Sequence, residues 1–143
     1  IKDGAKLVNA VANSVVPKIT VFVGNSYGAG NYAMCGKAYG ARFLYAWPSA
    51  SIAVMGGEQA SRTLLSIQIK NRGLHVTDKE KEALLADIQK RYADATNPRY
   101  AAARLWVDAL VDPRRTRDVL TRALDACSNN PEIPEFRTGV LQT

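Results

Sequence analysis

The feature that most constrains this fold is a short buried strand that leads through a turn of mostly small residues into a helix. Isoleucine and valine dominate the predicted strand, Ile19 to Val23, which a proline and a glycine bound. The turn comes next as Ser26-Tyr27-Gly28-Ala29-Gly30, and we expect the helix to begin near Gly30 and to end near Gly36. Small residues in the turn leave the first backbone N–H groups of the helix without side-chain cover.

Such a helix start favours an oxyanion. Its first N–H groups have no intrahelical partner, and the helix dipole adds partial positive charge at the same place. The chemistry that this suggests is stabilisation of a developing enolate or ureido oxygen. A structural interpretation stays open, since a tight strand-to-helix turn needs small residues for packing alone.

The rest of the first half alternates between predicted helix and strand. Apolar residues at helical spacing predict a helix over residues 4–14, before the first strand. Two further apolar runs, Arg42 to Ala46 and Ile52 to Met55, read as strands, and the second of them stops at Gly56-Gly57. This order is typical of an α/β unit with buried strands.

The second half is predicted to be mainly helical. One helix covers residues 59–71 with Gly73 as its C-cap, and Thr77 with Glu80 forms a capping box that opens the next. The apolar side of that second helix carries Leu84, Leu85, Ile88 and Tyr92. A further helix is expected from Tyr100 to Leu110 with Leu105, Trp106 and Leu110 inward, and a last one from Asp112-Pro113 to about Cys127. The tail from Ser128 contains prolines and is predicted to be irregular.

Composition excludes several classes of function. The 143 residues carry a net charge of +6, but no dense basic run with interleaved aromatics, so a nucleic-acid partner is not indicated. No apolar run approaches the roughly 18 to 20 residues that a membrane-spanning helix needs. Cys35 and Cys127 lie far apart and His75 is the single histidine, so we expect neither a disulfide framework nor a metal site.

Three long segments, in order, resemble a known family. They are SYGAGNYAMCGKAY, RFLYAWPSASIAVMGGEQAS and NPRYAAARLWVDALVDPRRTR. They resemble the crotonase superfamily and, within it, the carboxyltransferase β subunits of biotin-dependent acyl-CoA carboxylases, most closely the methylcrotonoyl-CoA carboxylase branch. The resemblance implies an α/β, crotonase-like (ClpP/crotonase) β-β-α spiral. Residues 1–143 would form the C-terminal part of the second carboxyltransferase domain, on the biotin side, with a helical C-terminal portion. We therefore expect this chain to be a fragment of a longer subunit.

The resemblance also implies roles for particular residues. The backbone N–H groups of Ala29 and Gly30 match the oxyanion-hole donors of the family, which here would hold the ureido oxygen of carboxybiotin. The second donor and the acyl-CoA site would come from other parts of the assembly. The implied biotin and substrate pocket comprises Ser26, Tyr27, Gly28, Asn31, Tyr32, Met55, Gly56 and Gly57. A structural role stays open for three of these residues: Ser26 and Asn31 as turn-stabilising groups, and Tyr32 as a core aromatic.

The implied function is carboxyl transfer from carboxybiotin to 3-methylcrotonoyl-CoA, which gives 3-methylglutaconyl-CoA in leucine breakdown. Biotin would be carried by a partner α subunit with biotin carboxylase and biotin carrier domains, which also uses the ATP, and the β subunits would form a hexamer. Such an enzyme belongs in the mitochondrial matrix of a eukaryote or the cytoplasm of a bacterium. Geranoyl-CoA and propionyl-CoA are alternative substrates, although Tyr32 argues against the second.

Two functions of a different class stay open beside carboxyl transfer. One is a crotonase-type hydratase or isomerase, in which Glu58 would act as the general base. The second is a non-catalytic interaction module, in which the turn of small residues is merely structural.

Overall fold

The computed structural model describes residues 1–72 and 77–136 as alternating helices and short strands. The helices are α1 (Lys2–Asn13), α2 (Gly28–Ala33), α3 (Gly57–Arg72), α4 (Asp78–Thr96), α5 (Pro98–Ala103) and α6 (Thr116–Ser128). The strands are β1 (Ile19–Phe22), β2 (Asn25–Tyr27), β3 (Phe43–Ala46), β4 (Ser51–Ala53) and β5 (Ala109–Leu110). Short 3₁₀ turns cover Lys37–Tyr39 and Pro113–Arg115.

The strands form two parallel sheets. One has three strands in the order β1-β3-β5, and the other pairs β2 with β4. Ile19 is in register with Phe43 in the first sheet, and Ser26 with Ile52 in the second. Parallel neighbours need a crossover connection, which here includes a helix or a 3₁₀ turn. The predicted α/β class is therefore confirmed.

The main core lies around the three-stranded sheet. Leu44 and Ala46 on β3 are 3 % and 0 % exposed, and they pack in one cluster with Phe22, Ala50, Ala101 and Val107. Burying a leucine or phenylalanine side chain contributes about 1.5–3 kcal/mol each. This cluster joins the sheet to α5 and to the segment before β5, and so holds the two halves of the chain together.

Two predicted helix starts, at Thr77 and Asp112, are confirmed, and a further cap lies at Asn97. Thr77 accepts a hydrogen bond from the Glu80 N–H, and the Glu80 carboxylate accepts one from the Thr77 N–H, which completes the capping box of α4. The Asn97 side chain accepts from the Arg99 N–H at the start of α5. Asp112 accepts from the Arg114 N–H, but the first turn after it is 3₁₀ and α6 proper begins at Thr116.

The predicted turn at residues 26–30 is wrong in its detail. Asn25–Tyr27 is a strand, and α2 begins with Gly28 rather than where the glycines end. The reason is tertiary, since β2 pairs with β4 along its whole length and so holds residues 25–27 extended. The helix also ends earlier than expected, at Ala33, because Cys35 adopts a positive φ of 63°.

The predicted helix from Tyr100 to Leu110 is also wrong. The helix stops at Ala103, and Leu105 has a φ of 57°, which helical backbone does not allow. The N–H of Leu105 donates to Ala102 and that of Trp106 to Ala101, which closes the helix end.

Pairing with β3 explains the course of the chain after this helix. The Asp108 N–H donates to Leu44 O, the Asp108 carboxylate accepts from the Leu44 N–H, and Ala109 and Leu110 then continue as β5. Leu105 and Trp106 do not point inward as predicted, since they are 76 % and 45 % exposed. Val107 is buried at 2 % instead.

The predicted C-cap at Gly73 and the single histidine, His75, lie outside the described residues. The irregular tail is confirmed for residues 130–136. Within the described part of the chain, no helix combines the length and the apolar character that crossing a membrane requires.

Candidate functional site

The candidate site lies where the two strands of the smaller sheet end. Because β2 and β4 are parallel and Tyr27 is in register with Ala53, their carboxyl ends meet at the same edge. The helix α2 begins directly after Tyr27, and α3 begins at Gly57, shortly after Ala53. The N-termini of two helices therefore lie at one edge of this sheet.

Gly28 is required where the first of these helices begins. Its φ is +54°, and a Cβ atom on it would lie 3.0 Å from the Val54 carbonyl oxygen. A side chain there would combine backbone strain with a close contact to the chain that leaves β4. Glycine thus lets the start of α2 approach the segment between β4 and α3.

Ala29 and Gly30 occupy the exposed first turn of α2. A Cβ atom on Gly30 would meet no heavy atom within 4 Å, so this face of the turn is open. N–H groups in the first turn of a helix are its unsatisfied donors. Both residues are therefore accessible from solvent at the start of α2.

Asn31 and Ser26 hold the start of α2 in place. The Asn31 side-chain amide donates to Ser26 Oγ at 2.8 Å, and the Gly36 N–H donates to the Asn31 carbonyl at 2.9 Å. A Cβ atom on Gly36 would lie 2.8 Å from the Asn31 carbonyl oxygen, so a larger residue there would displace the backbone. The turn-stabilising interpretation of Ser26 and Asn31 thus has a visible contact behind it. Sequence reasoning did not identify Gly36 as a site residue.

The two predicted aromatic residues differ in their surroundings. Tyr27 Oη lies 3.1 Å from Ser51 Oγ and 3.3 Å from Asn25 Oδ1, and its ring forms a wall against Gly56. Tyr32 is 47 % exposed and meets Tyr39 edge-on, with ring centroids 6.0 Å apart. Tyr32 is therefore not the buried core aromatic that one interpretation expected.

The Met55–Gly57 segment is fixed by a residue from α4. Tyr92 Oη donates to the Met55 carbonyl at 2.5 Å and accepts from the Met55 N–H at 3.2 Å. A Cβ atom on Gly57 would lie 3.6 Å from the Tyr92 ring. The sequence places Tyr92 only on the apolar side of a helix. A tyrosine on such a side, whose hydroxyl needs a partner, was the signal available.

An open groove of about 510 Å³ lies at the start of α3. Its lining is Asn25, Tyr27, Gly56, Gly57, Glu58, Gln59 and Arg62. Of the predicted pocket residues, Tyr27, Gly56 and Gly57 are brought together here, whereas Ser26 lines a second groove of about 310 Å³ beside β1. Glu58 Oε1 lies 2.7 Å from Arg62 Nη2, and both side chains are exposed.

Marked pKa shifts fall on other surfaces. Arg114 binds the Asp112 carboxylate through both its guanidinium and its backbone N–H, and these bonds lower the pKa of that carboxyl to about 2. Lys81 similarly lowers the pKa of Asp78, and burial raises the pKa of Tyr45. Asp112, Asp78 and Tyr45 all lie outside the groove at the start of α3.

The parallel sheets and the paired helix starts define an α/β fold. The family model described as "Carboxyl transferase domain" matches residues 1–141. The chain belongs to the carboxyl transferase domain family.

Similar proteins cover nearly the whole chain. It is 50% identical over 99% of its length to the biotin-dependent 3-methylcrotonyl-coenzyme A carboxylase beta1 subunit of Mycobacterium tuberculosis, and covers 27% of that protein. It is 48% identical, also over 99%, to a probable mitochondrial methylcrotonoyl-CoA carboxylase beta chain of Drosophila melanogaster, of which it covers 25%. The chain thus spans about a quarter of the length of these relatives.

Solved structures agree with this assignment. The β subunit of Pseudomonas aeruginosa geranyl-CoA carboxylase matches 100% of the chain at 40% identity with a TM-score of 0.77, and the chain covers 30% of it. The transcarboxylase 12S hexamer with methylmalonyl-coenzyme A and methylmalonic acid bound matches 99% at 37% identity, with a TM-score of 0.82 and 26% of that chain covered. The predicted crotonase-like carboxyltransferase fold is therefore confirmed.

Proposed function

We propose that this chain is part of a biotin-dependent carboxyltransferase β subunit that carboxylates 3-methylcrotonoyl-CoA. The observation that carries the substrate is the pattern of identity. Relatives named for methylcrotonoyl-CoA carboxylation are 45% to 50% identical, whereas a propionyl-CoA carboxylase beta chain is 38% identical. The reaction replaces a proton on the γ-carbon of the acyl group by a carboxyl group.

Within that subunit, residues 1–143 form the C-terminal part of the second carboxyltransferase domain, on the biotin side. Carboxybiotin, when bound, supplies an activated carboxyl group on a ureido nitrogen. The N–H groups of Ala29 and Gly30 would hold the ureido oxygen and would stabilise negative charge on it. This role is supported by the open space before Gly30 and by the close approach that Gly28 permits.

The pocket for the biotin ring is built from the two helix starts. Tyr27, Gly56 and Gly57 shape one wall, and Met55 belongs to the segment that leads into α3. Gly28 and Asn31 set the course of α2, Ser26 fixes Asn31, and Tyr32 is a half-exposed residue of the same helix. These residues exclude water and orient the ring, while the acyl-CoA and a second oxyanion donor come from elsewhere in the assembly.

We propose the partners on the same basis. The biotin is carried by an α subunit with biotin carboxylase and biotin carrier domains, and the β subunits assemble as a hexamer. The related transcarboxylase 12S protein assembles as a hexamer, which supports the second part of this proposal. The protein would act in the mitochondrial matrix of a eukaryote or in the cytoplasm of a bacterium, since relatives of both origins match.

The structure gives little support to a hydratase that uses Glu58. A general base must reach the proton that it removes, with a protonation state suited to the reaction. Glu58 is instead exposed to solvent and paired with Arg62 at 2.7 Å. We therefore retain the biotin-dependent reaction as the single proposal.

The test is a substrate panel on the intact β subunit, assembled with its biotinylated partner and supplied with ATP and labelled bicarbonate. We expect labelled carboxyl to be added to 3-methylcrotonoyl-CoA, giving labelled 3-methylglutaconyl-CoA, at a higher kcat/KM than to geranoyl-CoA or propionyl-CoA. Avidin should abolish the incorporation because it sequesters biotin. Hydration of an enoyl-CoA without biotin, or a preference for propionyl-CoA, would overturn the proposal.

A further inference from the structure

We propose that Tyr92 is a positioning residue that fixes the α3 side of the biotin pocket. This inference rests on the proposed function, because it concerns how that same pocket keeps its shape. Tyr92 lies on α4, outside both segments that form the pocket. Its hydroxyl nevertheless binds the main chain of Met55 twice, as a donor to the carbonyl and as an acceptor from the N–H.

The need for such a residue arises from the sequence between β4 and α3. The strand pairing ends at Ala53, so Met55 is beyond the last in-register pair of the smaller sheet. Gly56 and Gly57 come next, and glycine has more backbone freedom than any other residue. Ala60 and Ser61 anchor the first turns of α3 by burial, but the segment of residues 54–57 before them would have several accessible backbone positions without an external contact. The double hydrogen bond from Tyr92 selects one of them.

Tyr92 is itself held by well-anchored structure. Its helix α4 opens with a complete capping box and carries the buried Ile88 one turn earlier. The Tyr92 ring also lies against Gly57, where a Cβ atom would be 3.6 Å from Cδ1. On the other side of this segment, Gly56 faces the Tyr27 ring. Contacts therefore run without a break from α4 through Met55–Gly57 to Tyr27 in the groove.

The test compares Tyr92→Phe with Tyr100→Phe in the intact β subunit. Both changes remove one hydroxyl group and keep the ring. Tyr100 makes ring contacts with Trp106 and Arg104, and among the described residues its hydroxyl has no hydrogen bond. The reaction measured is the reverse transfer from 3-methylglutaconyl-CoA to free biotin. It moves the carboxyl group from carbon to the ureido nitrogen and a proton from that nitrogen to carbon.

We expect Tyr92→Phe to raise the KM for free biotin about tenfold, the scale set by losing two hydrogen bonds at a pocket wall. The KM for 3-methylglutaconyl-CoA should stay within about twofold, since that substrate is bound elsewhere. Tyr100→Phe should change neither constant. Equal losses for both substrates, or an unchanged KM for biotin, would mean that Tyr92 is merely structural and would overturn the inference.

The proposed function and the role of Tyr92 fail in different ways. If the wild-type subunit transfers no carboxyl group to biotin, the function is wrong. If the wild type is active and Tyr92→Phe keeps its KM for biotin, only the role of Tyr92 is wrong.

A second measurement covers the case in which Tyr92→Phe does not assemble. Hydrogen exchange on the wild-type subunit should slow over residues 54–60 when free biotin is added. Unchanged exchange over residues 54–60, with slowing at other peptides, would mean that this segment does not contact biotin. Tyr92 could then not position the pocket wall, and the inference would be overturned.

Discussion

Both sheets of this chain are built from parallel strands, but they differ in how deeply their residues are buried. In the three-stranded sheet, Leu44 and Ala46 are almost completely buried, and the surrounding cluster is apolar. In the two-stranded sheet, every residue of β2 and β4 keeps some exposure to solvent. Its strands run directly into helix starts that contain Gly28 and Gly57.

The difference lies in how each region is held together. The larger sheet is stabilised by burial, which is non-directional and tolerates no open space. The smaller sheet is held by directed hydrogen bonds, from Asn31 to Ser26, from Tyr92 to Met55 and between Tyr27 and Ser51. Directed bonds fix a backbone while leaving one of its faces open to a ligand. Changes in the first region should therefore affect stability, and changes in the second should affect catalysis.

The largest effect is expected from Gly28→Val in the intact β subunit. A branched side chain at a φ of +54°, with its Cβ 3.0 Å from Val54 O, must displace the start of α2. We expect kcat/KM for carboxyl transfer to fall by at least about a hundredfold, the scale of losing an oxyanion donor. Steady-state kinetics on the assembled hexamer measures this.

Gly40→Val is the matched control for that prediction. Gly40 also has a positive φ, of 66°, but a Cβ atom there meets nothing within 4 Å. This variant carries the backbone strain without the contact, so it should lose stability and keep its activity. Equal activity losses in the two variants would break the distinction between the two regions.

Next in size is Leu44→Ala, in the larger sheet. Leu44 is 3 % exposed, so its truncation leaves a cavity and should lower the free energy of unfolding by about 2–5 kcal/mol. Chemical denaturation measures this change, and the folded fraction should keep its kcat. The control is Val54→Ala, because Val54 is 76 % exposed and should cost at most about 0.5 kcal/mol.

A smaller effect is expected from Asn31→Ala. The change removes the 2.8 Å bond to Ser26 Oγ, so the KM for free biotin should rise about fivefold while stability falls by about 1 kcal/mol. Asn13→Ala removes a comparable bond, to the Asn9 carbonyl in α1, and should change stability alone. If both variants bind biotin as the wild type does, Asn31 has only a structural role.

Glu58→Gln should change the kcat for carboxyl transfer by less than about twofold. The carboxylate is exposed and its pairing with Arg62 is of the surface kind, typically worth no more than about 1 kcal/mol. Arg62→Gln, which removes the other partner, should behave in the same way. A hundredfold loss of activity confined to Glu58→Gln would instead mean that this carboxylate takes part in the reaction, as the hydratase alternative requires.

The smallest effect concerns pH and lies outside both sheets. Contacts with Arg114 lower the pKa of Asp112 from 3.8 to about 2, so the charged form is favoured in the folded state. This contribution to stability is complete above about pH 4 and is lost as the pH falls through 2. The melting temperature of Asp112→Asn should therefore approach that of the wild type over this window. A constant difference between the two would contradict the assignment.

The sequence predicted best those features that depend on local signals. The capping box at Thr77 and the cap at Asp112 involve residues only two or three positions apart, so their spacing is sufficient to identify them. The strand predicted from Ile19 to Val23 was likewise confirmed, as β1. The family resemblance of the chain, which three long segments carry, was confirmed by the match of the family model over residues 1–141.

The features that the sequence missed depend on distant partners. Residues 25–27 became a strand because β4 pairs with them, and the helix after Asn97 was cut short by pairing of residues 109–110 with β3. The contact of Tyr92 with Met55 spans 37 positions, and no local pattern announces it. The pocket roles of Ala29 and Gly30 remain predictions that rest on the resemblance and on the open space before them.

The most direct test of the proposed biotin site is a structure of the intact β subunit with free biotin bound. We predict the ureido oxygen about 2.7–3.1 Å from the backbone nitrogen of Ala29 or Gly30. We also predict the biotin ring against Tyr27 and Gly56. A ureido oxygen turned away from α2, or biotin bound at another surface while these N–H groups face solvent, would contradict the proposed site.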